Sequence, residues 1–176
     1  MEMSRYVITG GPGAGKTSML LALQDLGYAC SEEASRRLIM EESEKGSGCL
    51  PWMDLPCFAE RALERMIIAY QSAAENVPTF FDRGIPDILA YLAAAGLPVT
   101  GKYEEALQRY PYAKTVFLLP PWQEIYVQDD ARWQTFEEAE KICHHIKNIY
   151  LSSGYEIVEL PKCPVDQRAG HLLNKL

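Results

Sequence analysis

Nowhere in this chain does an apolar stretch approach ~18 residues, so no segment reads as a membrane-spanning helix. Basic runs are missing too. Asp and Glu number 24 against 17 Lys and Arg, a formal net charge of −7, which speaks against a general nucleic-acid or membrane-surface binder. A local basic pocket for phosphates is compatible with that balance. Cysteine is sparse: Cys30, Cys49, Cys57, Cys143 and Cys163 are odd in number, scattered, and form no C-x-x-C pair. Reduced thiols in a cytoplasmic protein are the expectation. The opening residues Met1 to Arg5 run into a first strand without a signal-peptide pattern, which fits the same location. No internal repeat, low-complexity tract or linker interrupts the chain, and 176 residues suit one domain over 1–176 with a sizeable core.

What is present is sharper. Residues Gly10, Gly11, Pro12, Gly13, Ala14, Gly15, Lys16 and Thr17 read GGPGAGKT, which fits the phosphate-binding pattern G-x-x-x-x-G-K-[ST]. Arg5 to Thr9 before it is a β-prone run. Lys16 to Leu26 after it carries Met19, Leu20, Leu23 and Leu26 at helical spacing, with Gly27 as a stop. The motif therefore sits on a strand–loop–helix unit. Glycines at 10, 13 and 15 let the backbone curl so that successive N–H groups face phosphate oxygens, and the helix start adds the positive end of its dipole. Lys16 is placed for the β- and γ-phosphates of ATP and Thr17 for Mg²⁺, with Ser18 beside them.

Strand and helix signals alternate down the rest of the chain, which points to an α/β fold: a three-layer αβα arrangement around a mostly parallel five-stranded sheet. Strands are expected at 5–9, 28–30, 78–81, 115–119 and 155–160. Helices are expected at 16–26, 32–40, 58–76, 85–95, 102–109, 134–152 and 165–173. The polar stretch 41–57 reads as a flap, with Pro51-Trp52-Met53 as an exposed aromatic group, and 120–134 as a lid.

Three further constellations carry chemistry. Asp82 ends an apolar strand, at the edge where open α/β sheets bind ligands; a carboxylate there can join the Mg²⁺ shell or take a proton from an acceptor hydroxyl. The alternative for Asp82 is a helix N-cap. Arg83 beside it suits an acceptor's phosphate or carboxylate. Glu33 and Arg36 follow the second strand, share a helix face and could grip a polar acceptor, or simply pair with each other. Arg132 precedes a capping box formed by Thr135 and Glu138, so it lies just outside a helix, where an arginine can stabilise a transferring phosphoryl group. Cys143-His144-His145 is no metal triad, because adjacent helical residues point to different faces.

The class of phosphate binder follows by elimination. A guanine-reading N-K-x-D is missing, and Asp82 is followed by Arg83 where a motor would carry D-E. The small-molecule kinase branch needs a P-loop, Asp-Arg at a strand end and an arginine-bearing lid, and all three are present.

GGPGAGKT, then EEASR at 32–36, FFDRG at 80–84, DDAR at 129–132 before FEEAEKI, and GYEIVELP followed by VDQR at 165–168 resemble the AAA-type ATPase-like domain of nicotinamide-riboside-kinase-type proteins. The resemblance covers almost the whole chain. It implies a P-loop kinase-like fold, ATP and Mg²⁺ binding, Asp82 and Arg83 on the acceptor side, and a lid carrying Arg132. Related lids have a D-G-x-R-like stretch, whereas Ala131 precedes Arg132 here. The expected partner is a small-molecule phosphoryl acceptor of nucleoside or nucleotide type, with no nucleic acid and no membrane. A nucleotide-dependent regulatory module with slow ATPase activity, or a retired kinase that only binds nucleotide, stand as alternatives.

Overall fold

The structure, a computed structural model, describes residues 4–31, 34–127 and 134–176. Its strands are β1 (Arg5–Thr9), β2 (Ala29–Cys30), β3 (Thr79–Asp82), β4 (Thr115–Leu118) and β5 (Glu156–Glu159). They form one sheet in the order β2-β3-β1-β4-β5, and every pairing is parallel. The helices are α1 (Lys16–Asp25), α2 (Ala34–Lys45), α3 (Leu55–Ser72), α4 (Ile85–Ala94), α5 (Gly101–Arg109), α6 (Phe136–Ser152) and α7 (Val165–Leu173).

Period-two alternation along the strands builds the two outer layers. Val7, Phe81, Val116 and Leu118 face one way, into a core shared with α3, α4 and α6. Ile8, Phe80 and Phe117 face the other way, against Met19 and Leu23 of α1 and Leu172 of α7. The α/β, three-layer reading thus holds, and so does the five-strand count.

Topology fixes where a ligand fits. From β1 the chain crosses to β2 on one side; from β3 it crosses to β4 on the other. Adjacent strands β1 and β3 therefore send their following helices, α1 and α4, to opposite faces, which opens a crevice at their C-terminal ends. Ile8 pairs with Asp82 across that edge, so the P-loop and the Asp82-Arg83 pair emerge side by side.

Two expectations require correction. The flap predicted over 41–57 is partly helical: α2 continues to Lys45, and α3 already begins at Leu55. Polarity reads as loop in a sequence window, but α2 is an exposed helix that buries only Leu38 and Glu42 among its twelve residues. Gly46 at φ 63° ends it, with Ser47 N–H donating to the Glu42 carbonyl and Gly46 N–H to that of Ser43. The second correction concerns the thiols. Cys49 and Cys57 are joined in a disulfide, while Cys30, Cys143 and Cys163 are free. No C-x-x-C spacing announces the pair. The tight turn at Leu50–Asp54 folds the chain back, where the Asp54 carboxylate caps α3 by accepting from Cys57 N–H at 3.0 Å. No helix of the described residues is long and apolar enough to cross a membrane.

Candidate nucleotide and acceptor site

The P-loop adopts the backbone its glycines allow. Gly10, Gly13 and Gly15 have φ of 148°, 76° and 89°. Packing forbids side chains as well: a Cβ on Gly10 would lie 2.4 Å from the Leu119 carbonyl oxygen, and one on Gly11 2.6 Å from that of Ala139. The loop is thus pressed between the end of β4 and the first turn of α6, and it leads into α1 through the N-cap Gly15.

Three cations converge on the carbonyl side of this loop. Lys16 Nζ donates to Gly10 O at 3.1 Å and Gly11 O at 3.0 Å. Arg83 Nη1 donates to the same Gly10 O at 3.2 Å. Arg168 Nη1, from α7, reaches Ala14 O at 3.4 Å. In a chain of net charge −7, such local positive charge around curled backbone amides is the electrostatic signature of a phosphate cradle.

Arg83 is held tightly. It has φ 69°, a left-handed conformation uncommon for a residue with a side chain. Its guanidinium bonds Asp87 Oδ1 at 3.1 Å and Tyr91 Oη at 3.1 Å. Burial works against its charge, yet Tyr91, Asp87 and Asp82 together hold its pKa above the ordinary guanidinium value. Burial also pushes the Tyr91 hydroxyl up, tempered by Arg83.

Asp87 is the hub beneath. It is 1 % exposed and accepts from Thr9 Oγ1 at 2.5 Å, Gly84 N at 2.9 Å, Tyr150 Oη at 2.6 Å and Arg83. One carboxylate thus ties β1, α4 and α6 to the loop. Burial and the neighbouring Asp87 charge raise the Tyr150 hydroxyl well above its usual pKa, so it stays a donor.

A cavity of about 520 Å³ opens over the loop, within the range of small-molecule sites. Pro12, Gly13, Gly15, Lys16, Thr17 and Ser18 line one part. Trp122, Ile125 and Pro164 flank it there with Arg168, whose guanidinium lies 5.0 Å from the Trp122 ring centroid. Burial lowers the Arg168 pKa. Ile39 of α2, Leu55, Phe58, Ala62 and Met66 of α3, and Ile88 and Tyr91 of α4 supply an apolar wall, joined by Arg36 and Arg83.

Of the residues singled out in the sequence, nine line this cavity: Pro12, Gly13, Gly15, Lys16, Thr17, Ser18, Arg36, Pro51 and Arg83. Gly10, Gly11 and Ala14 shape the loop behind it. Asp82 ends β3 buried, outside the lining, with its N–H donating to Ser31 Oγ at 3.0 Å. It does not cap α4, whose N-cap is Gly84. Glu33 and Arg132 lie outside the described residues. The capping box is formed, with Thr135 N–H on Glu138 Oε2 at 2.7 Å and Glu138 N–H on Thr135 Oγ1 at 3.2 Å.

Sequence reasoning missed Asp87, Tyr91 and Arg168. The i, i+4 spacing of Arg83, just before α4, and Asp87 in its first turn is a usable signal. Arg168 offers none beyond its place in the VDQR block, because the loop carbonyl it reaches, that of Ala14, lies far away in sequence.

A family model described as AAA domain matches residues 5–168. Among curated proteins, two from Desulfitobacterium hafniense are 29 % identical over 113 residues, one called a nucleotide-binding protein and the other nucleotide-binding protein DSY4845. Those matches cover 62 % of this chain and 36 % of the relatives, so the chain spans only about a third of their length. Among solved structures, deoxyadenosine kinase from M. mycoides with bound dATP superposes with a TM-score of 0.66 at 15 % identity, covering 97 % of this chain and 98 % of that one. Thymidylate kinase from Ehrlichia chaffeensis gives 0.62 at 14 % identity, over 99 % of both chains. At such identities the likeness is one of fold, and it makes this a P-loop kinase-like fold.

Proposed function

The chain belongs to the AAA domain family, and from that premise we propose that it is an ATP-dependent kinase for a small acceptor of nucleoside or nucleotide type. One observation carries the reading: the phosphate cradle and the apolar wall of α2, α3 and α4 line the same cavity. An apolar wall continuous with the phosphate loop offers a second molecule a place beside the nucleotide, which a transferase needs.

The roles follow from residue chemistry. P-loop amides and Lys16 bind the phosphate chain. Lys16 donates to the Gly10 and Gly11 carbonyls, which holds its side chain along the loop. Thr17, in the first turn of α1, and Asp82, the last residue of β3, are the residues that would hold Mg²⁺. Mg²⁺ neutralises charge on bridging phosphate oxygens. Asp82 also stands as the group to take an acceptor proton. Arg83 and Arg36 bound the acceptor chamber, and Glu33 is assigned there from its place after β2. Arg132 is assigned to the transferring phosphoryl group from its position before α6.

Incubation with ATP·Mg²⁺ and a panel of nucleosides, nucleotides and pyridine ribosides, with ADP release followed for each acceptor, tests this reading. Acceptor-dependent turnover is expected. ADP release that no acceptor accelerates would instead favour a nucleotide-dependent module with slow ATPase activity.

A further inference from the structure

Cys49 and Cys57 sit beside the acceptor wall, and nothing in the kinase reading uses them. We propose that they form a reversible dithiol–disulfide switch that sets the order of this wall. The bond closes a loop of sequence separation 8. Inside that loop lie Pro51 and Leu55, and immediately after it Phe58, and all three line the cavity. The state of one covalent bond therefore bears directly on one side of the chamber.

A structural staple gains less here than one across a long loop. Cross-links stabilise a fold chiefly by restricting the unfolded chain, and that gain shrinks as the closed loop shortens. Three other cysteines remain free, one of them buried in the core, so Cys49–Cys57 is a single cross-link and not part of a disulfide framework. What this bond does restrain is the native loop. Without it, the segment is held by turn hydrogen bonds from Met53 N–H and Asp54 N–H to Leu50 O, at 2.9 and 2.8 Å, and by the Asp54 cap on Cys57.

Access is asymmetric. Cys49 is buried and its N–H donates to Ser47 Oγ at 3.2 Å, whereas Cys57 is partly exposed in the first turn of α3. A dithiol reductant therefore attacks at Cys57 Sγ as thiolate. The S–S bond breaks, Cys49 Sγ leaves with the electron pair and takes a proton, and a mixed disulfide joins Cys57 to the reductant. The reductant's second thiol resolves it, so Cys57 is released as a thiol and the reductant ends as a disulfide. Two electrons and two protons are transferred in all. Glutathione disulfide, or another disulfide oxidant, runs the sequence in reverse.

The thiol chemistry stands apart from the kinase reading; only its effect on acceptor use rests on that reading. The full chain is equilibrated across a series of glutathione and glutathione disulfide ratios, alkylated and mapped by mass spectrometry. Amide hydrogen exchange is followed on the same samples. A Cys49–Cys57 link that forms and breaks reversibly in the folded protein is expected, with loss of exchange protection over 50–59 on reduction and unchanged protection in β1 and α4. The Cys49→Ser/Cys57→Ser double variant should match the reduced protein in both redox limits. Two free thiols in glutathione disulfide would overturn the proposal, as would a link broken only on global unfolding, or equal protection in both states. With an active acceptor in hand, reduction should raise its KM. If no acceptor is turned over, the kinase reading fails while the thiol and exchange results still decide the switch.

Discussion

Asp87 accepts four hydrogen bonds in a buried position, and its removal strands several donors at once. Asp87→Ala leaves the Arg83 guanidinium in a buried site without its carboxylate, a situation that costs about 3–5 kcal/mol. Chemical denaturation should show a loss of that size, and a loss under 1 kcal/mol would remove Asp87 from its place as hub. Asp82 is expected to behave differently. It ends β3 without capping α4, so Asp82→Asn should keep the fold and abolish turnover. If Asp82→Asn unfolds the protein, its role is structural. The P-loop was legible from sequence because phosphate binding is done by contiguous backbone, whereas Asp87 draws its partners from Thr9 to Tyr150. No local window spans that distance.

Among the elements, the strands and most helices were legible because their signals are local. Period-two burial and the Thr135–Glu138 box both need only a few neighbouring residues. The α2–α3 region was not, because its helix is polar and its turn is fixed by the Glu42–Ser47, Ser47–Cys49 and Asp54–Cys57 hydrogen bonds, which polarity alone does not reveal. Glu42 anchors that region. It is buried, accepts from Ser47 Oγ at 2.6 Å and pairs with Lys45 Nζ at 3.0 Å. The Ser47 hydroxyl first, then Lys45, holds its carboxyl below the usual carboxylate pKa. A folded-state pKa below the unfolded one stabilises the fold above the unfolded carboxylate range, and the gain fades as pH falls through the folded value. Glu42→Gln should therefore be less stable than the native protein at neutral pH and converge with it in acid. Denaturation midpoints measured across that range check this, and a gap that stays constant with pH would rule it out. At the other side of the cavity, Thr135→Ala removes a formed cap and should cost about 1 kcal/mol.

At the scale of the whole molecule, the site joins parts that are remote in sequence. Gly10 packs on the carbonyl after β4, Gly11 on α6, Arg83 comes from the end of β3 and Arg168 from α7. Ligand phosphates bound at the loop therefore engage elements from both outer layers, and their binding energy adds to the stability of the entire fold. A ligand at 100 times its Kd that binds only the folded state contributes about 2.7 kcal/mol. For a chain of this length each kcal/mol moves Tm by about 2–4 °C, so ATP·Mg²⁺ at that excess should raise Tm by roughly 5–11 °C. Lys16→Ala removes the cation that follows the loop, and its own loss of two hydrogen bonds lowers the ligand-free Tm by some amount. The decisive quantity is thus the difference between ligand-free and ligand-bound Tm within each protein. That difference should collapse in Lys16→Ala and survive in Cys49→Ser/Cys57→Ser, whose change lies across the cavity from the phosphates. An undiminished shift in Lys16→Ala would mean that nucleotide binds somewhere other than the P-loop, and the kinase reading would lose its donor site.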